Sequence, residues 1–329
     1  MSFWQDYKRP IMALAPMEEV TDTVFRELIM GISSPENLNL LYTEFVSTDG
    51  LCHDQGRERV IHRLQCTDSE TTMRKDLNIP LLAQIWGTNP ENYYKAVQMI
   101  DQEFNFDGID INMGCPVGKI IKKGACSGLI RNPSLAKEIV QACQEASNLP
   151  VSVKTRIGFN EVVTESWISE LLSCKPEAIG IHGRIQAQQS NGLADWNEIG
   201  KAVALRDEIS PKTRILGNGD VESMEDGLER VAKHNLDGAL IARGIFHDPW
   251  LFAKEHVHRD AKERMRLLWK HSQMFTDTWG DRKNFFVLRR FYKIYAAGFV
   301  GAVKTRVKLL EMPDLASVEA FLKEHDVFE

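Results

Sequence analysis

Gly108-Ile109-Asp110-Ile111-Asn112-Met113-Gly114-Cys115-Pro116 reads as a short strand that runs into a turn and ends on a thiol. Ile109 and Ile111 alternate with polar residues at the strand period. Gly114 and Pro116 stop the run, which leaves Cys115 on the loop just past the strand's carboxyl end. Seven further runs of this kind lie along the chain: Ile11–Ala15, Leu40–Glu44, Pro80–Gln84, Val151–Arg156, Ala178–His182, Arg214–Asn218 and Gly238–Ala242. Several are almost unbroken in apolar residues, the pattern of parallel strands covered on both faces. Between the runs the spacing predicts helices over Thr21–Gly31, Pro90–Phe104, Pro133–Ala146, Thr164–Ser173, Asn197–Ala204 and Ser223–His234, two of them opened by a proline. Eight strand–helix units predict an α/β chain closed as a (β/α)8 TIM barrel. A doubly wound open sheet is the competitor, but no GxGxxG follows the first run and eight units favour closure.

From Phe246 onward the strand pattern stops. Residues 249–279 and 283–328 read as helical, with breaks near Trp279-Gly280-Asp281 and at Pro313. The expected organisation is a barrel over 1–245 and a C-terminal helical domain over 246–329. Ser47–Leu77 is polar and has no clear period, so it reads as an insertion over one mouth of the barrel.

Bulk properties narrow the function classes. The 329 residues are 43% hydrophobic and 26% charged, ordinary globular values. There is no apolar run long enough to span a bilayer, and the amino end has no signal-peptide pattern, so a cytoplasmic protein without membrane contact is expected. Six cysteines at 52, 66, 115, 126, 143 and 174 form no CxxC pair, which fits neither a disulfide framework nor a zinc site. No metal is expected, and the chain reads as a monomer. The net charge of −6 is unevenly spread. Residues 245–329 hold 15 Lys and Arg against 12 Asp and Glu, whereas residues 1–244 hold 25 against 34. Positions 282–308 carry eight basic residues and no acid, among them Arg289, Arg290 and Lys293, interleaved with Phe285, Phe286, Phe291, Tyr292, Tyr295 and Phe299. That pattern suits phosphate contacts on one face, with the aromatics mostly in the core.

The eight runs all end in polar or conformationally special residues: Ala15-Pro16-Met17-Glu18, Thr43-Glu44, Gln84, Asn112, Lys154 with Arg156, His182-Gly183-Arg184, Gly217-Asn218-Gly219-Asp220 and Ala242-Arg243-Gly244. A ring of such ends points to one ligand site at the carboxyl mouth. Gly217, Gly219 and Gly244 let the backbone approach a phosphate after strands seven and eight. Lys154 and Arg156 share a strand face, and a buried ammonium needs an anionic partner, which the pyrimidine edge of a reduced flavin would supply. Gln84 could donate to and accept from a ring amide.

These stretches, together with Val153-Lys154-Thr155-Arg156 and Ala194-Asp195-Trp196, occur in the order and spacing of the tRNA-dihydrouridine synthases, which the chain resembles over nearly its whole length. The resemblance implies FMN held by Pro16, Met17, Glu18, Gln84, Lys154, His182, Asn218, Gly219, Asp220, Ala242 and Arg243. It also implies NADPH or NADH as reductant, and a uridine in the tRNA D loop as substrate. Cys115 would be the general acid, a mostly neutral thiol able to protonate carbon. Asn112, Arg156 and Arg184 would contact the base or ribose, and Arg289, Arg290 and Lys293 the tRNA. Two positions depart from the family pattern. Cys126 stands where glycine is more usual, as a rival thiol without the strand-end placement, and no tyrosine occurs near Ser190.

Two other readings fit parts of the chain: a small-molecule FMN-dependent pyrimidine oxidoreductase and a non-catalytic RNA-binding barrel. The basic helical tail speaks against the first. Cys115, Lys154 and the glycine loops together speak against the second.

Overall fold

Eight parallel strands carry the architecture of the computed structural model: β1 Ile11–Leu14, β2 Leu41–Tyr42, β3 Leu81–Trp86, β4 Gly108–Asn112, β5 Val151–Arg156, β6 Ala178–His182, β7 Arg214–Asn218 and β8 Gly238–Ile241. Each pairs with its sequence neighbour, and β8 returns to pair with β1. The ring closes at β1 and β2 through an Ala13–Leu40 bridge, with the Leu14 amide donating to the Leu40 carbonyl at 3.1 Å. A two-residue strand, Val46–Ser47, adds a second pairing on β3. The structure describes residues 2–7, 10–255 and 257–327. Met1, His256, Phe328 and Glu329, which the sequence readings touch, lie outside them.

Strand alternation divides the interior by height. Ile11, Ala13, Leu40, Tyr42, Leu82, Ala178, Leu216 and Leu240 form an apolar plug that Trp4 joins. Toward the carboxyl ends the inward positions turn polar: Gln84, Asp110, Asn112, Lys154, Arg156, His182 and Asn218. Register puts Gln84 beside Asp110, Asp110 beside Ser152, Asn112 beside Lys154 and Arg156 beside His182. Gly180 makes room for this layer, because a Cβ there would sit 2.6 Å from Leu240 and 3.6 Å from the Lys154 stem. The apolar part is closely packed core, and the polar part is what a ligand meets.

The helices lie close to their predicted positions within the barrel, with two corrections elsewhere. Ser47–Leu77, in which the sequence showed no clear period, is helical, with helices at Thr48–Leu51, Asp54–Val60 and Asp68–Leu77 and a 3-10 turn at Ile61–Leu64. Its period was hidden because the buried face of the last helix is charged. Glu70 and Arg74 are its buried residues, and Glu70 meets Arg26 at 2.6 Å with both side chains inaccessible. Arg26 also donates to the carbonyls of Thr21 and Gln65, and Thr23 donates to Glu70, so the pair is fully hydrogen-bonded. Such a pair tolerates burial, and losing one partner is costly.

The second correction concerns the tail. Residues 249–255 and 257–260 are not helical, and the first tail helix, Ala261–Trp279, begins only at the Asp260–Glu263 capping box. The region after 283 is broken into Phe285–Arg290, Tyr292–Tyr295, Ala302–Glu311 and Leu315–Glu324. Gly298 and Gly301, at φ of 78° and 90°, supply one break. The tail is anchored on the first barrel helix, Thr23–Met30, where the Phe25 ring packs at a tilt against Phe291 and His271. Asp22 takes hydrogen bonds from Trp279 at 2.9 Å and Lys283 at 3.0 Å. Among the described residues no helix is long and apolar enough to cross a membrane.

Candidate active site

Cys115 leaves the end of β4 on a turn built by its own strand. The Asn112 side-chain oxygen accepts the amides of Gly114 at 3.1 Å and Cys115 at 2.9 Å. Its amide nitrogen donates to Gln84 at 2.9 Å, Gln84 donates to Asp110 at 2.6 Å, and Ser152 donates to the other Asp110 oxygen at 2.6 Å. This chain ties three neighbouring strands to the thiol's turn. Burial raises Asp110 to about 6 even with these bonds. Asn112 was expected to contact substrate. Its oxygen and one amide hydrogen are already committed, so it acts first as the clamp of the turn.

The thiol itself is partly exposed. A hydrogen bond from Cys126 brings it down to about 7 against the opposing effect of burial. Its acidity is thereby moved toward the neutral range, below that of an ordinary thiol. Cys126 is buried, at φ 52°, and is pushed well up by burial and by its neighbour. It is Cys115's partner and not its rival.

Lys154 projects inward, as strand alternation predicts, and donates to the Asn218 side chain at 3.0 Å. Asn218 in turn donates to the Leu240 carbonyl at 2.7 Å. Burial, and then the nearby Arg156, bring Lys154 down to about 8. Among the described residues it has no carboxylate within salt-bridge distance. His182 lies between Arg156, Lys154 and Arg184, and burial with those cations holds it well below the usual imidazole range. It is neutral at physiological pH.

Arg156 and Arg184 are placed differently from expectation. Arg156 donates to the carbonyls of Gly114 at 2.7 Å, Gln189 at 2.9 Å and Ile185 at 3.3 Å, bracing the thiol loop against the loop after β6. Arg184 is 2% exposed and donates to the Gly192 carbonyl and to both Asp220 oxygens at 2.6 Å. It holds loops together and offers little to a base. Burial works against Asp220's ionisation, but the bond from Arg184 prevails and holds it below the usual range. Arg243 also pairs with Asp220 at 3.2 Å and is 56% exposed.

A cavity of about 380 Å³ runs from Pro116 and Arg156 past His182 and Asn218 to Gly219 and Arg243. Ser190 also lines it. Of the three glycines expected to cradle phosphate, Gly217 has a packing reason instead: a Cβ would lie 2.2 Å from the Trp196 ring. At Gly244 a Cβ would lie 2.3 Å from the Val221 carbonyl. Gly219, at φ 123°, faces His182 and keeps the conformational role.

On the other side of the mouth, Met17 packs partly on the core and Gln84 lies beneath the surface. Pro16 leads into this loop. Glu18 was expected at the cofactor, but it pairs with Arg63 at 2.6 Å. Ala242 lines the cavity. In the tail, Arg290 is committed to Glu19 at 2.6 Å, Arg289 lies over the Phe286 ring at 3.7 Å, and Lys293 is exposed near Phe246.

A model of the family described as "Dihydrouridine synthase (Dus)" matches residues 13–326. The chain belongs to the dihydrouridine synthase family. It is 39% identical over 328 residues to a probable tRNA-dihydrouridine synthase of Staphylococcus aureus (strain COL), covering 99% of this chain and 96% of that protein. It is 37% identical to a probable tRNA-dihydrouridine synthase 2 of Bacillus subtilis (strain 168), covering 99% and 97%. Among solved structures, a 2-naphthoyl-CoA reductase complex superposes with a TM-score of 0.53 at 11% identity, over 73% of this chain and 49% of that one. That likeness concerns the barrel fold alone.

Residues absent from the sequence reading complete the site. Asp110 and Ser152 secure the thiol's turn, and Asp110's inward position was readable from the alternation of the opening stretch. Glu44 had been quoted only as a strand end. It is 2% exposed, accepts the Glu19 amide at 2.6 Å, and is raised by burial to about 7 beside Lys283.

Proposed function

We propose that this chain reduces a uridine of tRNA to dihydrouridine with FMN and NADPH or NADH, Cys115 acting as general acid. The observation that carries the reading is Lys154, an ammonium with no carboxylate within salt-bridge distance among the described residues, at the same barrel mouth as the thiol and the cavity ending at Gly219 and Arg243. An anionic aromatic cofactor fits that donor set. Lys154 would meet the ring edge, and Arg243, Gly219 and Ala242 the phosphate. His182, Asn218 and Asp220 would shape the wall, and Pro16 and Met17 the opposite side, with Gln84 buried beneath it. Asp220 beside a phosphate is tolerable because two arginines neutralise it.

When bound, the flavin supplies a hydride to one carbon of the uracil double bond. Cys115 gives its proton to the adjacent carbon, held in place by the Asn112 clamp. Arg156 and Arg184 keep the loops on either side in register, and Arg156 retains Nη2 for the base or ribose. Drawing a uridine out of a folded tRNA costs a few kcal/mol, which phosphate contacts elsewhere offset. Residues 246–329 supply these through Arg282, Arg289, Lys293, Lys304 and Lys308, while Arg290 secures the tail to the barrel. The substrate is read, from the family resemblance, as a D-loop uridine in cytoplasmic tRNA.

The test is to incubate the purified protein with NADPH and an unmodified tRNA transcript and weigh the RNA. We expect a yellow protein and a tRNA heavier by two hydrogen atoms per reduced uridine. A colourless protein, or a flavoprotein that leaves the RNA mass unchanged, refutes the reading.

A further inference from the structure

The loop that joins β1 to the helix Thr23–Met30 is a closed turn. The amide and hydroxyl of Thr21 donate to the Met17 carbonyl at 3.0 Å and 3.1 Å, and the Met17 amide donates back to the Thr21 hydroxyl at 3.0 Å. Glu19 stands at the crown of this turn with φ 56°, in the left-handed region where glycine is the usual residue. A side-chain-bearing residue is strained there and persists only where its surroundings hold it. Two elements do so. Just past β2, Glu44 accepts the Glu19 amide at 2.6 Å. From the tail, Arg290 donates to the Glu19 carbonyl at 3.0 Å and to its carboxylate at 2.6 Å. Both backbone polar groups of the strained residue are therefore held from outside its own loop.

Packing alone does not account for Glu44. It is 2% exposed, its second oxygen has no hydrogen-bond partner among the described residues, and Lys283 stands off at 3.9 Å. Burying a carboxyl with one oxygen unbonded costs stability. The uridine chemistry proposed above gives this residue no step. What its position does provide is a fixed acceptor for the one amide that the left-handed turn cannot satisfy by itself.

We propose that Glu44 is a positioning residue: by pinning the Glu19 amide it fixes the turn and, through the Met17–Thr21 closure, the face that Pro16 and Met17 present to the flavin. Arg290 pins the same residue from the other side, so the tail and the flavin-side loop meet at Glu19. Without the Glu44 oxygen the amide loses its acceptor, Glu19 relaxes toward negative φ, and the chain leading back to Met17 turns with it. The consequence for the flavin rests on the cofactor reading proposed above; the hold on the turn does not.

The experiment uses the full-length protein as purified. Hydrogen exchange in peptides covering 15–22, read by mass, reports the turn and needs no flavin; the absorbance and dissociation constant of FMN report the site. Glu44→Ala should speed exchange in 15–22 roughly tenfold, the scale of one lost hydrogen bond to a charged group. It should also shift the FMN absorbance and weaken FMN binding, with exchange in β4 to β7 unchanged. Glu44→Gln, which can still accept the amide, should recover most of both. Glycine needs no holding at positive φ, so adding Glu19→Gly to Glu44→Ala should restore the FMN absorbance and affinity although the acceptor is still missing. Glu19→Val guards against a Glu44 variant that does not fold, since this side chain is 57% exposed. A β-branched residue resists positive φ, so this variant should loosen the turn and shift the flavin in the same sense with Glu44 intact. Wild-type exchange and absorbance in Glu44→Ala or Glu19→Val overturn the proposal. So does a double variant no better than Glu44→Ala, or exchange that quickens throughout the barrel, which is what a merely structural Glu44 predicts. If the wild type binds no FMN, the cofactor reading fails while exchange still decides whether Glu44 holds the turn. If it binds FMN and exchange in Glu44→Ala is unchanged, the positioning role alone fails.

Discussion

Replacing Cys126 with alanine should change the acidity of Cys115 without touching its strand, turn or backbone clamp. The leading cause of the low value, about 7, is the hydrogen bond from Cys126, and burial opposes it. Without the donor, burial is left against the weaker bond from the Val117 backbone, and Cys115 should return to the ordinary range near 9 or above. A rise of about two units corresponds to roughly 2.7 kcal/mol in the balance between thiol and thiolate. At pH 7 the thiolate fraction then falls from about half to about one in a hundred. A more basic thiolate is intrinsically more nucleophilic, by about six- to tenfold for that change, so alkylation at pH 7 should slow only about five- to eightfold. The midpoint of the pH profile is the cleaner readout. Iodoacetamide labelling of Cys115, quantified by peptide mass from pH 5 to 10, should show the midpoint moving up by about two units. An unchanged midpoint would mean that Cys126 does not set Cys115's acidity.

Other perturbations probe separate parts of the molecule. If Cys115 donates its proton, dihydrouridine formation by the wild type should fall about tenfold per pH unit above about 7, because only the protonated thiol is active; a flat profile from pH 7 to 9 under chemistry-limited conditions would count against it. Glu70→Ala strands the buried Arg26 cation and should cost about 3–5 kcal/mol in denaturant unfolding, whereas a loss below about 1 kcal/mol would show the site to be hydrated. Lys154 is lowered from 10.5 to about 8 on folding, so between those values the unfolded chain binds the extra proton and stability rises with pH. Cofactor-free Lys154→Met protein should lose that part of the slope, seen by comparing melts with the wild type. Reversing Arg289 and Lys293 to Glu should weaken tRNA binding and flatten its salt dependence while flavin content stays unchanged; Arg290→Glu should in addition lower the melting temperature by releasing Glu19.

The barrel was legible because strand alternation and turn residues are local signals. β4 to β7 coincide with their predicted runs, and most barrel helices differ by only a residue or two at their ends. Cys115 and Lys154 were legible for the same reason, since their inward or loop-top placement follows from the strand itself. What stayed hidden depends on distant partners. Arg184 looks like a free base contact until Asp220 and Gly192 close around it, and Arg290 looks like a phosphate contact until Glu19 is brought beside it. The helix Asp68–Leu77 escaped notice because it buries an ion pair where the hydrophobic period expects apolar residues. Gly217 resembled a phosphate turn, but the Trp196 ring that occupies the space comes from the preceding loop-to-helix junction. Local pattern thus defined the scaffold and the placement of the thiol and the ammonium, and the partners of the charged residues came only with the tertiary contacts.

The most direct test is anaerobic and single-turnover. Wild-type and Cys115→Ala proteins are reduced with NADPH, freed of excess reductant and mixed with unmodified tRNA, while flavin absorbance and RNA mass are followed together. Both should be reduced equally well. The wild type should reoxidise with one dihydrouridine formed per flavin, and Cys115→Ala should stay reduced with its tRNA unchanged over the same period. Equal reoxidation and equal product in the two proteins would remove Cys115 from the chemistry.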